Sequence, residues 1–134
     1  MPKEFYNPEP FRSAGRPYAM AVKAANLVFL AGQLGVDFVD GKRVVVGEND
    51  AERQIEQIFK NMRTVLQGME ADLTDICWLQ IFVTNIDDRL RMDAVRRRFF
   101  GETDLPAATM VEVSRLALPG AVVEVNAIAV VEHS

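Results

Sequence analysis

The sequence predicts an α+β domain, a six-stranded sheet with two helices on one of its faces. Three observations carry this. Six segments read as strands and only two read as helices, in the order strand, strand, strand, helix, strand, helix, strand, strand. Two helices can cover only one face of a sheet this size. Yet the strands carry apolar residues on both sides: Val28 and Leu30 against Leu27, Phe29 and Ala31, and Val123 and Val125 against Val122 and Ile128. The second face would leave a large apolar patch in water, so other subunits are expected to cover it.

Met1 to Pro17 is rich in proline and polar residues and reads as an extended arm or loop. Tyr18 to Ala24 and Asn26 to Leu34 read as two strands with a tight turn near Ala25 and Asn26. The second contains LVFLA without alternation, the pattern of a strand buried on both faces. Gly32 and Gly35 allow a turn or a close approach. Asp40-Gly41 is a hairpin signal, and Arg43 to Val46 is the short strand after it.

Asn49 to Glu52 matches a capping box, with Asn49 as N-cap. Ala51, Ile55, Ile58, Phe59, Met62, Val65, Leu66 and Met69 then recur at helical spacing, and the helix is expected to end near Ala71. Asp75 to Thr84 is β-branched and aromatic, so it reads as a strand. Asp87 or Asp88 caps a second helix whose stripe is Met92, Val95 and Phe99, and Gly101 stops it. Ala107 to Leu116 and Ala121 to Val131 are the last strands, joined by a Pro119-Gly120 turn.

The chain of 134 residues is expected to form one domain over residues 1–134, with residues 1–17 as its arm. It is 49% hydrophobic and 25% charged, an ordinary globular composition. The net charge of −4 gives no electrostatic advantage on a phosphate backbone, so a nucleic-acid partner is not expected. Arg96 to Arg98 is the one tight basic run, and such runs are usually solvated helix faces. No apolar run is longer than Leu27 to Ala31, which is far too short to span a bilayer, and MPKEFYNPEP lacks the apolar stretch of a signal peptide. Cys77 is the single cysteine, so no intrachain disulfide forms. A soluble cytoplasmic protein is expected.

Familiar catalytic constellations are not found. His133 is the only histidine and lies one residue from the end, which argues against a metal cluster or a Ser-His-Asp arrangement. No phosphate loop or dinucleotide fingerprint occurs. Cys77, in an alternating strand beside Trp78, reads as a buried structural thiol. What remains is a polar pair in a strand. Glu124 and Asn126 lie two apart and so share a face, with apolar Val122, Ile128 and Val130 beside them. Either this face is partly solvated or meets another subunit there, or the pair forms a polar spot in an apolar ligand cleft.

The segment LPAATMVEVSRLALPGAVVEVNAIAV resembles the closing signature of the RidA family, also called YjgF or L-PSP, which reads roughly P-A-R-S/T-x-V-E-V-x-x-L and then I-E-I-E-A-I-A. Gly15, Pro17 and Tyr18 resemble its G-P-Y entry, and Ala31-Gly32-Gln33-Leu34 its S-G-Q-I/L segment. The resemblance covers nearly the whole chain. It implies a chorismate-mutase-like fold with a mixed sheet, assembled as a homotrimer with small-molecule clefts between subunits. It implies hydrolysis of reactive enamines and imines such as 2-aminoacrylate, without metal or organic cofactor. In the family an arginine clamps the substrate carboxylate, a glutamate positions or activates water, and a tyrosine and backbone groups line the cleft.

Tyr18, Gly32, Gln33, Thr109 and Glu124 fit this pattern, and Met110 stands where many members carry cysteine. Two positions depart from it. Ala108 occupies the arginine position, and a methyl group offers no charge and no paired donors. Asn126 occupies the glutamate position, and an amide can hold a water but cannot take its proton. The catalytic candidates are therefore Glu124 and Asn126. The substrate-binding candidates are Tyr18, Gly32, Gln33, Ala108, Thr109, Met110 and Arg115, with Arg16 or Arg115 as a replacement cation. The departures argue against standard 2-aminoacrylate deamination. They favour either a divergent hydrolase or deaminase of imines, enamines or related metabolites, or a non-catalytic trimer binding a small ligand or a partner. Ribonuclease activity ranks last, since the chain is acidic and lacks a usable histidine.

Overall fold

In the computed structural model, which describes residues 2–132, one mixed six-stranded sheet and a separate two-stranded sheet pack with two α-helices. The strands are β1 (Lys3–Tyr6), β2 (Ala21–Ala24), β3 (Leu27–Leu34), β4 (Val36–Val39), β5 (Lys42–Val45), β6 (Ile76–Val83), β7 (Ala107–Glu112) and β8 (Val123–Val130). The helices are α1 (Ala51–Gln67) and α2 (Arg89–Phe100). The large sheet runs β1-β2-β3-β8-β6-β7, antiparallel except for the parallel pair β6–β7. The α+β class with two helices is as the sequence predicts.

The membership of the sheet differs from the expectation in two places. Within the segment read as an arm, Lys3–Tyr6 adds to the edge of the sheet by pairing with Ala21–Ala24. The strand expected over Arg43 to Val46 is Lys42–Val45, and it leaves the large sheet to pair with Val36–Val39 as a hairpin. Six strands remain in the large sheet because the first gain offsets the second loss. Local periodicity marks a strand but does not choose its partner.

Smaller differences concern ends. The N-cap of α1 is Asp50, whose carboxylate accepts the Arg53 amide, whereas Asn49 takes a left-handed φ of 62° one residue earlier. The helix stops at Gln67, short of Ala71. Before α2, the Asn85 side chain caps a 3-10 turn, and Asp88 takes the N-cap position without a side-chain bond. The C-terminal strands are shorter than expected, ending at Glu112 and Val130.

The core lies between the helices and one sheet face. From α1 it takes Ala51, Ile55, Ile58, Phe59, Met62, Val65 and Leu66, from α2 Met92 and Val95, and from the sheet Leu79, Ile81, Val83, Val123, Val125, Ala127 and Ala129. Buried Gln54 stitches α1 to two turns. Its Nε2 donates to the Gly47 and Gly120 carbonyls at 3.0 and 2.8 Å, and its Oε1 accepts the Val122 amide at 2.8 Å. Gly35 makes this approach possible, because a Cβ there would lie 2.7 Å from the Gln54 Cα and 2.8 Å from its carbonyl oxygen. The hairpin is tied to α1 by the Asn61 side chain, which donates to the Val36 carbonyl at 2.8 Å.

Cys77 is exposed, contrary to the buried thiol expected from alternation. The pairing of β6 with β8 shifts register between Ile76 and Trp78, so Cys77 is the extra residue of a bulge and leaves the face that alternation assigns it.

Candidate functional site

The sheet face away from the helices bears three rows of side chains, each set by cross-strand register. The first is apolar and crosses the whole sheet as Phe5, Val22, Phe29, Ile128, Trp78 and Ala107. Phe5 is 65% exposed and Phe29 43% exposed. The second row is polar: Asn126, Gln80 and Thr109 stand side by side, and the Asn126 amide donates to Gln80 Oε1 at 3.2 Å. The third runs Glu124, Phe82 and Val111.

Glu124 is half-buried, and burial pushes its carboxyl above the ordinary carboxylate range. Desolvation disfavours the charged form, and among the described residues no donor or cation offsets it. Its position depends on Gly32. A Cβ on Gly32 would stand 2.6 Å from Glu124 Oε2, so the missing side chain is the space the carboxylate occupies.

Gly32 also lines a cavity of about 390 Å³ on the helix side of β3. The N-terminal segment supplies Phe11 and Tyr18, whose rings meet at 5.6 Å between centroids. Strand β3 supplies Gly32 and Gln33, the hairpin Phe38 and Arg43, and α1 Lys60 and Asn61. Gln33 is buried, and its Nε2 donates to the Met20 sulfur at 2.8 Å. The residues can therefore bind a small molecule with apolar and polar parts.

The sequence-predicted residues fall into three groups. Tyr18, Gly32 and Gln33 line one cavity. Glu124, Asn126 and Thr109 share the open sheet face, joined to the first group through Gly32. Ala108 and Met110 lie on the opposite face of β7, paired with buried Leu79 and Ile81, and Met110 packs on the core. Within one chain they do not meet Glu124. Arg16 is exposed and lines an adjoining recess of about 130 Å³ with Asn7 and Arg12, which shares Phe11 and Tyr18 with the larger cavity. Arg115 is exposed beyond the end of β7. His133 lies outside the described residues. Sequence reasoning passed over Gln80, whose signal was a polar residue inside the apolar run ICWLQIFV, and Arg43, whose hairpin position gave none.

Comparison with known proteins identifies the family. A family profile described as Endoribonuclease L-PSP matches residues 10–131. The chain is 34% identical over 113 residues to a RutC family protein of Pyrococcus horikoshii, spanning 84% of this chain and 86% of the other. It is 34% identical over 116 residues to a 2-iminobutanoate/2-iminopropanoate deaminase of Dermatophagoides farinae, covering 87% of each. A crystal structure of a Rid family protein of unknown function from Yersinia pestis superposes with a TM-score of 0.75 at 35% identity, over 86% of this chain and 88% of that one.

Proposed function

This chain belongs to the RidA/YjgF/L-PSP family, and on that premise we propose that it is a trimeric hydrolase of small imines, enamines or related metabolites, with its cleft between subunits. The observation that carries the reading is Glu124, a half-buried carboxyl with a raised pKa, set against Gly32 at the border of the Tyr18 cavity. Water adds to the carbon of the C=N bond, and the Glu124 carboxylate accepts its proton. That proton passes to the nitrogen, giving a neutral carbinolamine. The carbinolamine hydroxyl proton then moves to the nitrogen, again by way of the Glu124 carboxylate, as the C–N bond breaks and the C=O bond forms, and a carbonyl product and ammonia leave. A raised pKa suits this work, since it makes the carboxylate a stronger base than an ordinary glutamate. Asn126, braced by Gln80, holds the water by its amide. Thr109 extends that polar row.

The trimer is supported by the apolar row from Phe5 to Ala107, which a further copy would cover. In such an assembly Ala108 and Met110, on the edge strand, complete the cleft of a neighbouring copy. Their apolar character at the clamp position supports a substrate other than 2-aminoacrylate. It also favours a second reading, a trimer that binds a small ligand without turning it over.

The test is ammonia release. 2-Aminoacrylate and 2-iminobutanoate are generated in situ by a dehydratase, with and without the protein. Acceleration of 2-iminobutanoate hydrolysis that Glu124→Gln abolishes supports the hydrolase. Binding without any acceleration supports the second reading. Activity gained on 2-aminoacrylate by Ala108→Arg with Asn126→Glu would show that the standard chemistry was lost at those two positions alone.

A further inference from the structure

The wall of the cavity behind Tyr18 carries a cation that none of the described residues neutralises. Arg43 is half-buried on its wall and joins none of the ion pairs among the described residues. Its Nε is the one buried side-chain nitrogen or oxygen there with no hydrogen-bond partner. We propose that Arg43 is the anion-binding group of this cavity and that the ligand is a small carboxylate with an aromatic or other apolar body. This rests on the reading of Tyr18, Gly32 and Gln33 as ligand-binding residues, and it names the cation that Ala108 fails to supply.

Buried polar groups in folded proteins are satisfied almost without exception, so the unpartnered Nε marks a guanidinium that the described residues leave out of their hydrogen bonds and ion pairs. The terminal nitrogens of the guanidinium, which share its fixed charge, present two donors that match the two oxygens of a carboxylate. The surroundings select the body attached to that carboxylate. Phe38 is the cross-strand neighbour of Arg43, and Phe11, Tyr18 and Met20 close the cavity around it. The other charged groups on the wall already have partners. Lys60 pairs with Glu56 at 3.2 Å, Glu9 accepts from the Ser13 amide at 2.8 Å, and Asp37 accepts the Phe38 amide at 2.8 Å.

Position also favours Arg43 over Arg16 and Arg115. Those two are exposed, where water screens their charge, whereas a partly desolvated guanidinium attracts an anion more strongly. The volume of about 390 Å³ lies within the range of roughly 300–1,000 Å³ common to small-ligand sites. Gly32 lines this cavity and abuts Glu124 on the other side of the strand, which brings the anion-binding group and the proposed base to the same strand.

The experiment is calorimetric titration of the intact protein with phenylacetate and with its neutral isostere phenylacetamide. The wild type should bind phenylacetate more tightly than phenylacetamide. Arg43→Gln should weaken phenylacetate roughly 10- to 100-fold and remove the preference. Arg43→Lys, which keeps the charge without the fork, should fall between, with circular dichroism and light scattering checking fold and assembly. The proposal is overturned if the wild type does not bind phenylacetate, if Arg43→Gln binds it unchanged, or if Arg16→Gln or Arg115→Gln weakens it more. Tyr18→Ala separates the layers. Loss there with Arg43→Gln unaffected sinks only the assignment of Arg43, whereas no loss in either variant sinks the reading of the cavity as well.

Discussion

Gly32 makes room for Glu124: a Cβ on the first would lie 2.6 Å from Oε2 of the second. The clash is with the far end of a flexible side chain, so Gly32→Ala should cost about 1 kcal/mol or less in stability. It should nonetheless lower ammonia release at least tenfold, because the carboxylate is displaced from the cavity border. Thermal melting and the coupled ammonia assay separate the two effects. Equal losses in both would make Gly32 a purely structural glycine.

The pKa of Glu124 gives a signed pH prediction. Burial raises it in the fold, so the folded state holds a proton that the unfolded chain releases. The associated stability is fully present below about pH 4.5, the ordinary value, and is lost as pH rises through the raised value. Glu124→Gln removes this loss. The variant should be more stable than wild type at pH 8 in urea, with the gap narrowing on acidification to pH 4. Glu9 and Glu56 run in the opposite sense, since hydrogen bonds from Ser13 and Lys60 lower their values, but they are common to both proteins and cancel in the difference. Catalysis should instead rise with pH as Glu124 becomes a base, and Glu124→Gln should abolish that limb of the profile.

Gln54 should prove the most sensitive polar residue in the core. Gln54→Leu leaves the Val122 amide without its acceptor, although Gly120 and Gly47 still receive the Asn49 and Asp50 amides. The expected cost is about 2–3 kcal/mol, read as a lower urea midpoint. A change below about 0.5 kcal/mol would mean that water replaces the side chain.

Cys77 should prove dispensable. Cys77→Ser is expected to change stability by no more than about 0.5 kcal/mol, because the side chain stands outside the core at a bulge. A large loss would place the thiol in a subunit contact.

The proposed trimer depends on the apolar row. Light scattering should give three times the chain mass of 15.0 kDa, and Phe29→Arg, at the middle of the row, should return a single-chain mass. A wild type that is already single-chain at micromolar concentration would refute the assembly.

The sequence by itself determined the two helices, the core stripe of α1 and the strands other than Lys3–Tyr6 and Val36–Val39, because helical and strand periodicities are local properties of the chain. The same alternation placed Glu124 and Asn126 on one face. It also carried a family resemblance across nearly the whole chain. Only the tertiary structure decided which strands pair. It added Lys3–Tyr6 to the sheet, detached Lys42–Val45 into a hairpin and turned Cys77 outward at a bulge. It alone set Gly32 against Glu124 and placed Arg43 at the Tyr18 cavity. These relationships join residues far apart in the chain, and the packing that joins them leaves no periodic trace in either segment.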